Sequence, residues 1–212
     1  MGLINRNYNS TLFITIRDGK IIVPVEQPTD TSVQRTNKMG RTVNEEQYEQ
    51  LNAVLQRVEL RKNDKYGNQW CVHLMDSATL EQFSLQLPES GGNTWSLLNR
   101  LLNVNKDEEI SIQPYCFIPA GETKERRGCT VRRMDNTKVE PYVTRDNAQG
   151  CPDIIPVEFK GETRYDDTAR IAWLAAKFTE KFGEQQAQSN TPQNAPNIVE
   201  PDTDTEPTDL PF

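Results

Sequence analysis

The stretch from residue 124 to residue 145 is the most basic part of the chain, with seven Lys and Arg residues and three acidic ones. Clustered cations of this kind can pair with backbone phosphates and release their counterions. A solvated face that only keeps the protein in solution has the same composition, so charge alone leaves both interpretations open. The basic residues are Lys124, Arg126, Arg127, Arg132, Arg133, Lys138 and Arg145.

Aromatic residues bear on that choice, because sequence-tolerant binding of a single strand needs flat rings on which bases stack. Residues 109–118 alternate in polarity, and Tyr115 and Phe117 fall on the face opposite the aliphatic residues. Both rings point outward if the aliphatic face is the core; alternatively, they form a second small core with the N-terminal hairpin or the last helix. Tyr66 and Trp70 are further stacking candidates, although Trp70 has the parity of the apolar residues after it.

Basic residues earlier in the chain extend this candidate set. Arg57 and Arg61 alternate with apolar residues, so we expect their side chains on the polar face of a strand. Lys62 and Lys65 follow in a turn rich in Asn, Asp and Gly. The full set of candidate nucleic-acid ligands is Arg57, Arg61, Lys62, Lys65, Tyr66, Trp70, Tyr115, Phe117, Lys124, Arg126, Arg127, Arg132 and Arg133.

The sequence contains few of the motifs that indicate catalysis or metal binding. His73 is the only histidine, and the chain has no nucleophile elbow, P-loop or HExxH motif. Asp166 and Asp167 precede an apolar helical stripe and are interpreted as a helix cap. We therefore expect no enzymatic activity, no cofactor and no metal. The four cysteines form no CxxC pair and are interpreted as thiols in a reducing compartment; they are Cys71, Cys116, Cys129 and Cys151.

The pattern of apolar residues predicts a mainly β protein with a few helices. An Asp18-Gly19 turn between β-rich runs predicts an N-terminal hairpin. Residues 26–44 read as a long mobile connection, and Glu45 to Leu55 as a short helix capped by Asn44. Five strands follow, with one short helix between the third and fourth strands and a last helix after Asp166-Asp167. Their signals lie at 57–61, 69–75, 82–87, 93–102 (the short helix), 109–118, 129–134 and 171–182 (the last helix).

Three strands, a helix and two strands is the order of the OB-fold, a small Greek-key barrel that binds oligonucleotides. We therefore expect one OB-fold domain over residues 1–182, in which 1–43 form a hairpin and linker extension. Residues 183–212 carry six acidic residues and no Lys or Arg, and their composition predicts a disordered tail.

Charge is divided unevenly along the chain. The net charge is −7, but without the tail the remainder has 24 basic and 25 acidic residues. A near-neutral body beside an acidic arm is typical of proteins that bind nucleic acid. No apolar run is long enough for a membrane span, and the N-terminus lacks a secretory pattern, so we expect a cytoplasmic protein without a membrane partner.

The chain ends in Asp209-Leu210-Pro211-Phe212. This tip resembles the C-terminus of bacterial single-stranded DNA-binding proteins. The acids before it are interleaved with Thr and Pro, and the body has no close resemblance to that family, so we expect a divergent phage or mobile-element relative in a bacterial cell. The resemblance implies that the terminal Phe and its carboxylate dock on replication, recombination or repair proteins. It also implies that the acids compete with DNA for the binding groove.

These observations together predict sequence-independent binding and protection of single-stranded DNA in replication, recombination or repair. An OB-fold adaptor for proteins, or a mediator that anneals complementary strands, remains an alternative. The sequence leaves open the oligomeric state, homo-oligomers included, as well as the preference for DNA or RNA and the size of the binding site.

Overall fold

The computed structural model describes residues 11–37, 39–62 and 67–183. The candidate ligands Lys65 and Tyr66, the predicted disorder of the acidic tail and the tip from Asp209 to Phe212 lie outside these residues. The described residues are mainly β, as the sequence predicts, with eleven strands and two helices. In chain order they are β1 Leu12–Arg17, β2 Lys20–Val25, β3 Val33–Thr36, β4 Thr42–Tyr48, β5 Leu51–Arg61, β6 Gln69–Met75, β7 Gln82–Pro88, α1 Gly92–Leu101, β8 Glu109–Phe117, β9 Arg126–Arg133, β10 Ile155–Phe159, β11 Glu162–Asp166 and α2 Thr168–Phe182.

The predicted N-terminal hairpin is present as β1 and β2. Its turn residues Asp18 and Gly19 have φ angles of 50° and 72°, which the right-handed twist of a two-residue hairpin requires. The turn of this hairpin packs against β8: a Cβ added at Gly19 would lie only 2.7 Å from the main-chain N of Cys116. Only glycine fits this close approach, and it fixes the hairpin against the sheet.

Two expectations for the next segment are wrong. Residues 26–44 contain β3 and the start of β4, where a mobile connection was expected, and Glu45 to Leu55 belongs to β4 and β5 rather than to a helix. Pairing decides this: β4 lies between β2 and β3, and the Glu45 carboxylate is buried between Arg17 and Arg35. Hydrogen bonds to partners distant in sequence therefore override the local helical spacing.

The nine strands β1–β9 form one open sheet in the order β3-β4-β2-β1-β7-β6-β5-β8-β9. Strands β5, β6 and β7 form an antiparallel meander, and after α1 the chain returns so that β8 pairs with β5. This fourth-first-second-third arrangement is a Greek key. The predicted order of three strands, helix and two strands is thus confirmed.

A closed five-stranded barrel is not what the sheet forms. Strand β1 pairs in parallel with β7, with Leu12 opposite Phe83, and continues the sheet through β2, β4 and β3. Within the segment 1–43, assigned from the sequence to a hairpin and linker, the described residues therefore supply strands that widen the sheet.

The core lies on the inner face of this sheet and is closed by the two helices. Trp70 and Phe178 meet edge to face with ring centroids 6.0 Å apart, which joins β6 to α2. Helix α1 covers the edge of β9, where the Ser96 hydroxyl accepts from the Cys129 N–H (3.0 Å) and donates to its C=O (3.1 Å). In the part of the chain that the structure describes, neither helix is long and apolar enough to cross a membrane.

The predicted acidic cap of α2 is present in part: Asp166 Oδ1 accepts the Thr168 N–H at 2.9 Å, whereas Asp167, at the N-cap position, makes no capping hydrogen bond with its side chain. Leu174 and Phe178, from the predicted apolar stripe, are buried. Ahead of this helix, β10 and β11 form a separate hairpin that the sequence analysis did not predict.

Replacing Glu45 with Gln tests the ion pair that holds β3 and β4. Burial raises the pKa of Glu45, but its hydrogen bonds and ion pairs with Arg17 and Arg35 outweigh burial and lower it below the ordinary 4.5. A lowered folded-state pKa stabilises the protein above pH 4.5 and ceases to do so as the pH falls below it. We expect Glu45→Gln to cost about 2 kcal/mol of unfolding free energy at pH 7, measured by urea denaturation.

That cost should shrink as the pH falls below 4.5, because protonation removes the same ion pair from the parent protein. The matched control is Glu49→Gln, which alters an exposed pair with Lys20 and should leave stability nearly unchanged. Equal costs for the two variants at pH 7 would contradict a stabilising role for the buried carboxylate.

Candidate nucleic-acid interface

The outer surface of β8 and β9 gathers several of the predicted ligands. On β8, Ile110 and Ile112 point into the core, so the residues that alternate with them along the strand face outward. The antiparallel register places each outward residue of β8 directly beside one of β9. We call this surface the outer β8–β9 face, and its cross-strand pairs are Ser111 with Arg132, Gln113 with Thr130, Tyr115 with Gly128, and Phe117 with Arg126.

Two aromatic rings lie at one end of this face, as the alternation predicts. Tyr115 and Phe117 have centroids 5.8 Å apart with their planes inclined by 47°, and 51% of Phe117 is exposed. They do not belong to a second core. The rings therefore offer an accessible apolar surface next to a guanidinium.

Gly128 determines where the Tyr115 ring lies. A Cβ added at Gly128 would be 2.6 Å from Tyr115 Cζ and 3.0 Å from Ser96 Oγ, so the ring covers the bare glycine of the neighbouring strand. This packing holds Tyr115 flat across β9 and leaves Phe117 as the more exposed ring.

One cation at this end of the face is held by an acid of the loop between β8 and β9, since Arg126 Nη2 lies 2.5 Å from Glu122 Oε1. Arg127 is paired with Cys116 across the strands and therefore points away from the outer β8–β9 face; its Nε donates to Glu125 Oε2 at 2.7 Å. Both pairs are exposed, and exposed pairs of this kind contribute about 0–1 kcal/mol, so a phosphate could replace the carboxylates. Lys124 is exposed in the same loop.

A polar cleft of about 440 Å³ occupies the other end of the face. Arg132 borders it and donates to the main-chain oxygen of Asn136 at 3.2 Å. The side chains of Gln50 and Asn52 join it from the start of β5, hydrogen-bonded to each other at 2.8 Å. The lining residues are Gln50, Asn52, Ser111, Gln113, Arg132, Arg133, Met134 and Asn136.

Gln50 and Asn52 are not among the predicted ligands, because the spacing of residues 45–55 predicted a helix there. Strand alternation from Asn52 through the buried Ala53 would have placed Asn52 on the outer face. Arg133 points differently from Arg132: its Nε donates to Glu108 at 2.7 Å and its Nη2 to the Asn103 oxygen at 3.1 Å. Arg133 therefore ties β9 to the loop before β8.

Arg57 and Arg61 form a separate group on the half of β5 that pairs with β6. Both pair with Glu59, and His73 Nε2 lies 3.1 Å from the same carboxylate. Burial, with the positive charges of Arg61 and Arg57, lowers the pKa of His73 to about 4, so the imidazole is neutral at pH 7. Lys62, exposed, follows β5 directly.

The register separates that group from the outer β8–β9 face. Strand β8 pairs with the beginning of β5, where Leu51 is opposite Ile112, and Tyr115 lies beyond that pairing. Arg57 and Arg61 are at the other end of β5. The predicted ligands that lie among the described residues therefore do not form one continuous site.

Trp70 cannot stack on a base, so its prediction as a stacking residue is wrong. Its side chain is fully buried and its indole N–H donates to the Glu89 oxygen at 3.0 Å. A base cannot reach it without unfolding the core. The parity shared with its apolar neighbours had indicated this outcome.

The cysteines of the described residues are unpaired thiols. Burial raises the pKa of Cys129 to about 12, and burial with the hydrogen bond to Glu125 raises that of Cys116 to about 11. Both stay protonated at neutral pH and are poor nucleophiles. Within the residues that the structure describes, no group of His, Cys, Asp and Glu side chains could hold a metal ion.

No protein-family model, curated protein or solved structure matches the chain. The chemistry of the outer β8–β9 face is therefore the basis for assigning a function.

The packing of Tyr115 over Gly128 is testable by a double-mutant cycle. Gly128→Ala should lower the unfolding free energy by about 1–3 kcal/mol, because the new methyl group overlaps the ring. In a Tyr115→Ala background the same change should cost much less, since the overlap is gone. Urea denaturation of the four proteins measures the coupling, and additive costs would mean that the ring does not lie over the glycine.

Proposed function

We propose that this protein binds single-stranded DNA without sequence preference, through the outer β8–β9 face. The observation that carries the proposal is the ring pair of half-buried Tyr115 and exposed Phe117, directly beside Arg126 on the neighbouring strand. Every base has a flat surface, so aromatic stacking is tolerant of sequence. A guanidinium next to the rings can pair with the phosphate that links two stacked bases.

The rest of the face extends this mode of binding. From the pair Ser111–Arg132 to the pair Phe117–Arg126 each strand spans seven residues, and the six steps between them cover about 20 Å. A single strand of DNA lying along this length would meet aromatic rings at one end and an arginine with amide side chains at the other. Amides and hydroxyls contact sugar, phosphate or base edges, so a few nucleotides would occupy the face.

The Greek key of β5 to β9 supports assigning an OB-type fold to this part of the chain. OB-folds bind oligonucleotides across their second and third strands, here β6 and β7, and through the loops that join the first strand to the second and the fourth to the fifth. The outer β8–β9 face lies on the fourth and fifth strands, so the fold supports the proposal through the fourth-to-fifth loop. Here that loop joins β8 to β9 and carries Lys124 beside Arg126 and Arg127. In this assignment β1 and β2 extend the sheet beyond the five strands.

The acidic tail supplies a second part of the proposal. Its tip, Asp209-Leu210-Pro211-Phe212, combines an apolar ring with an acidic side chain, which suits a cationic, apolar pocket on another protein. We assign to it the recruitment of replication, recombination or repair proteins.

Fluorescence anisotropy with labelled oligonucleotides tests the binding face. The full chain should prefer single strands over duplex of the same length and bind less tightly as salt rises. Replacing Tyr115 and Phe117 together with Ala should weaken binding by at least about tenfold, since each stacked base contributes about 1–3 kcal/mol.

Phe13→Ala is the matched control, because Phe13 is 44% exposed on β1, outside the proposed face. It should leave affinity unchanged. Equal affinity for duplex and single strand, or an unchanged affinity after loss of both rings, would contradict the proposal and favour a protein-binding adaptor.

Removing the tail tests its competition with DNA. A chain ending at Gly183 should bind single strands severalfold more tightly at low salt, because a tethered anion is present at high effective concentration near the arginines. The difference should vanish at high salt, where both interactions are screened. Looser binding after truncation would show that the tail assists the strand instead of competing with it.

A further inference from the structure

The hairpin of β10 and β11 is the least buried element of the described chain. All ten of its strand residues are exposed, and it belongs to a two-stranded sheet of its own. One face carries Ile155 (57% exposed), Val157 (44%) and Phe159 (46%). An isolated two-stranded hairpin is marginally stable in water, and three or more strands are needed for independent stability.

The two edges of this hairpin differ in what they can bind. The two-residue turn is closed by the hydrogen-bonded pair Phe159 and Glu162. From this pair onward, hydrogen-bonded and non-hydrogen-bonded pairs alternate, and in the non-hydrogen-bonded pairs the main-chain N–H and C=O groups point away from the hairpin. On β10 one outward-directed position is Pro156, which has no N–H. On β11 the outward-directed positions are Thr163 and Tyr165, each with both a donor and an acceptor. Strand β11 is therefore the edge that can accept another strand.

The charges along β11 are suited to pairing with a second β11. In an antiparallel pair centred on Thr163, Glu162 of one chain lies opposite Arg164 of the other, and this happens twice by symmetry. These are the non-hydrogen-bonded positions, where opposing side chains are closest. Within one chain Glu162 and Arg164 already lie 3.7 Å apart, on the same face as the apolar stripe.

Neighbouring registers fit less well. A pair centred on Arg164 places the two arginines opposite each other and Glu162 opposite Asp166, which is repulsive. A pair centred on Tyr165 requires Asp167 to continue the strand, but Asp167 caps α2 with a ψ of 10°. The pairing centred on Thr163 avoids both problems.

We propose that β11 pairs antiparallel with β11 of a second copy of this chain, in the register that sets Glu162 opposite Arg164. The result is a four-stranded sheet, β10-β11-β11-β10, whose interface is two-fold symmetric. This interface is separate from the outer β8–β9 face and does not depend on the proposed binding of DNA.

Sedimentation equilibrium of the nuclease-treated full chain tests this pairing over a concentration series. The expected mass rises from that of one chain to that of two. Thr163→Pro should abolish the rise, because it removes a central donor while Pro156 shows that the hairpin accommodates proline at such a position. A mass of one chain at every concentration overturns the proposal.

Charge reversal tests the register. Glu162→Arg alone and Arg164→Glu alone should each stay at the mass of one chain, since each places like charges opposite each other. An equimolar mixture of the two variants should form pairs again, as should the doubly substituted chain Glu162→Arg, Arg164→Glu.

Circular dichroism and thermal melting of each variant should match the parent, because the hairpin lies outside the core. Single variants that associate like the parent, or a mixture that does not associate, overturn the proposed register. If single-stranded oligonucleotide affinity falls while the mass never changes, the hairpin contacts the strand rather than a second chain, which also overturns it.

Discussion

Burial of one face of β8 is the constraint on which the rest of the structure depends. Ile110 and Ile112 are fully buried, and in a strand this forces the intervening residues outward. A shift of the register by one residue would exchange the two faces and bury the polar side chains. The same hydrophobic contacts that stabilise the core therefore place Tyr115, Phe117 and the cleft residues on the surface.

Close approaches of glycine then adjust the details of that surface. Gly128 leaves room for the Tyr115 ring, and Gly19 lets the N-terminal hairpin abut β8 at Cys116. Helix α1 closes the outer edge of β9 through Ser96, so this edge is not open to another strand. The edge of β11 has no such cover among the described residues, and on this difference rests the proposal that β11, rather than β9, pairs with another strand.

The sequence alone predicted those elements whose apolar residues repeat with one clear period. Strand β6 has the predicted bounds, and the stripe of α2 faces the core as expected. Strands β3 and β4 were missed because they are short and polar, and what fixes them is the contact of Glu45 with Arg17 and Arg35, which no local pattern reveals. The hairpin β10–β11 did carry a signal, since Lys160-Gly161 separates two β-type runs.

The candidate site was predicted in part for the same reason. Alternation placed Tyr115 and Phe117 correctly, but a list of basic residues contains no information on sheet register, which separates Arg57 and Arg61 from Arg126. The alternation of apolar residues along β6 indicated that Trp70 is buried, whereas its residue type alone did not.

In the proposed binding of single-stranded DNA, the strength of the interaction depends on the fact that the cations of the outer face already have acidic or main-chain partners. The pair of Arg126 with Glu122 is exposed, so exchanging the carboxylate for a phosphate changes the pairwise energy little. The favourable free energy of binding comes instead from the counterions that the DNA strand releases. This contribution depends on the salt concentration and on the number of phosphates engaged. A face about 20 Å long engages few of them. Stacking on Tyr115 and Phe117 must then supply most of the binding energy that salt does not remove, and this makes the two rings the decisive residues of the site.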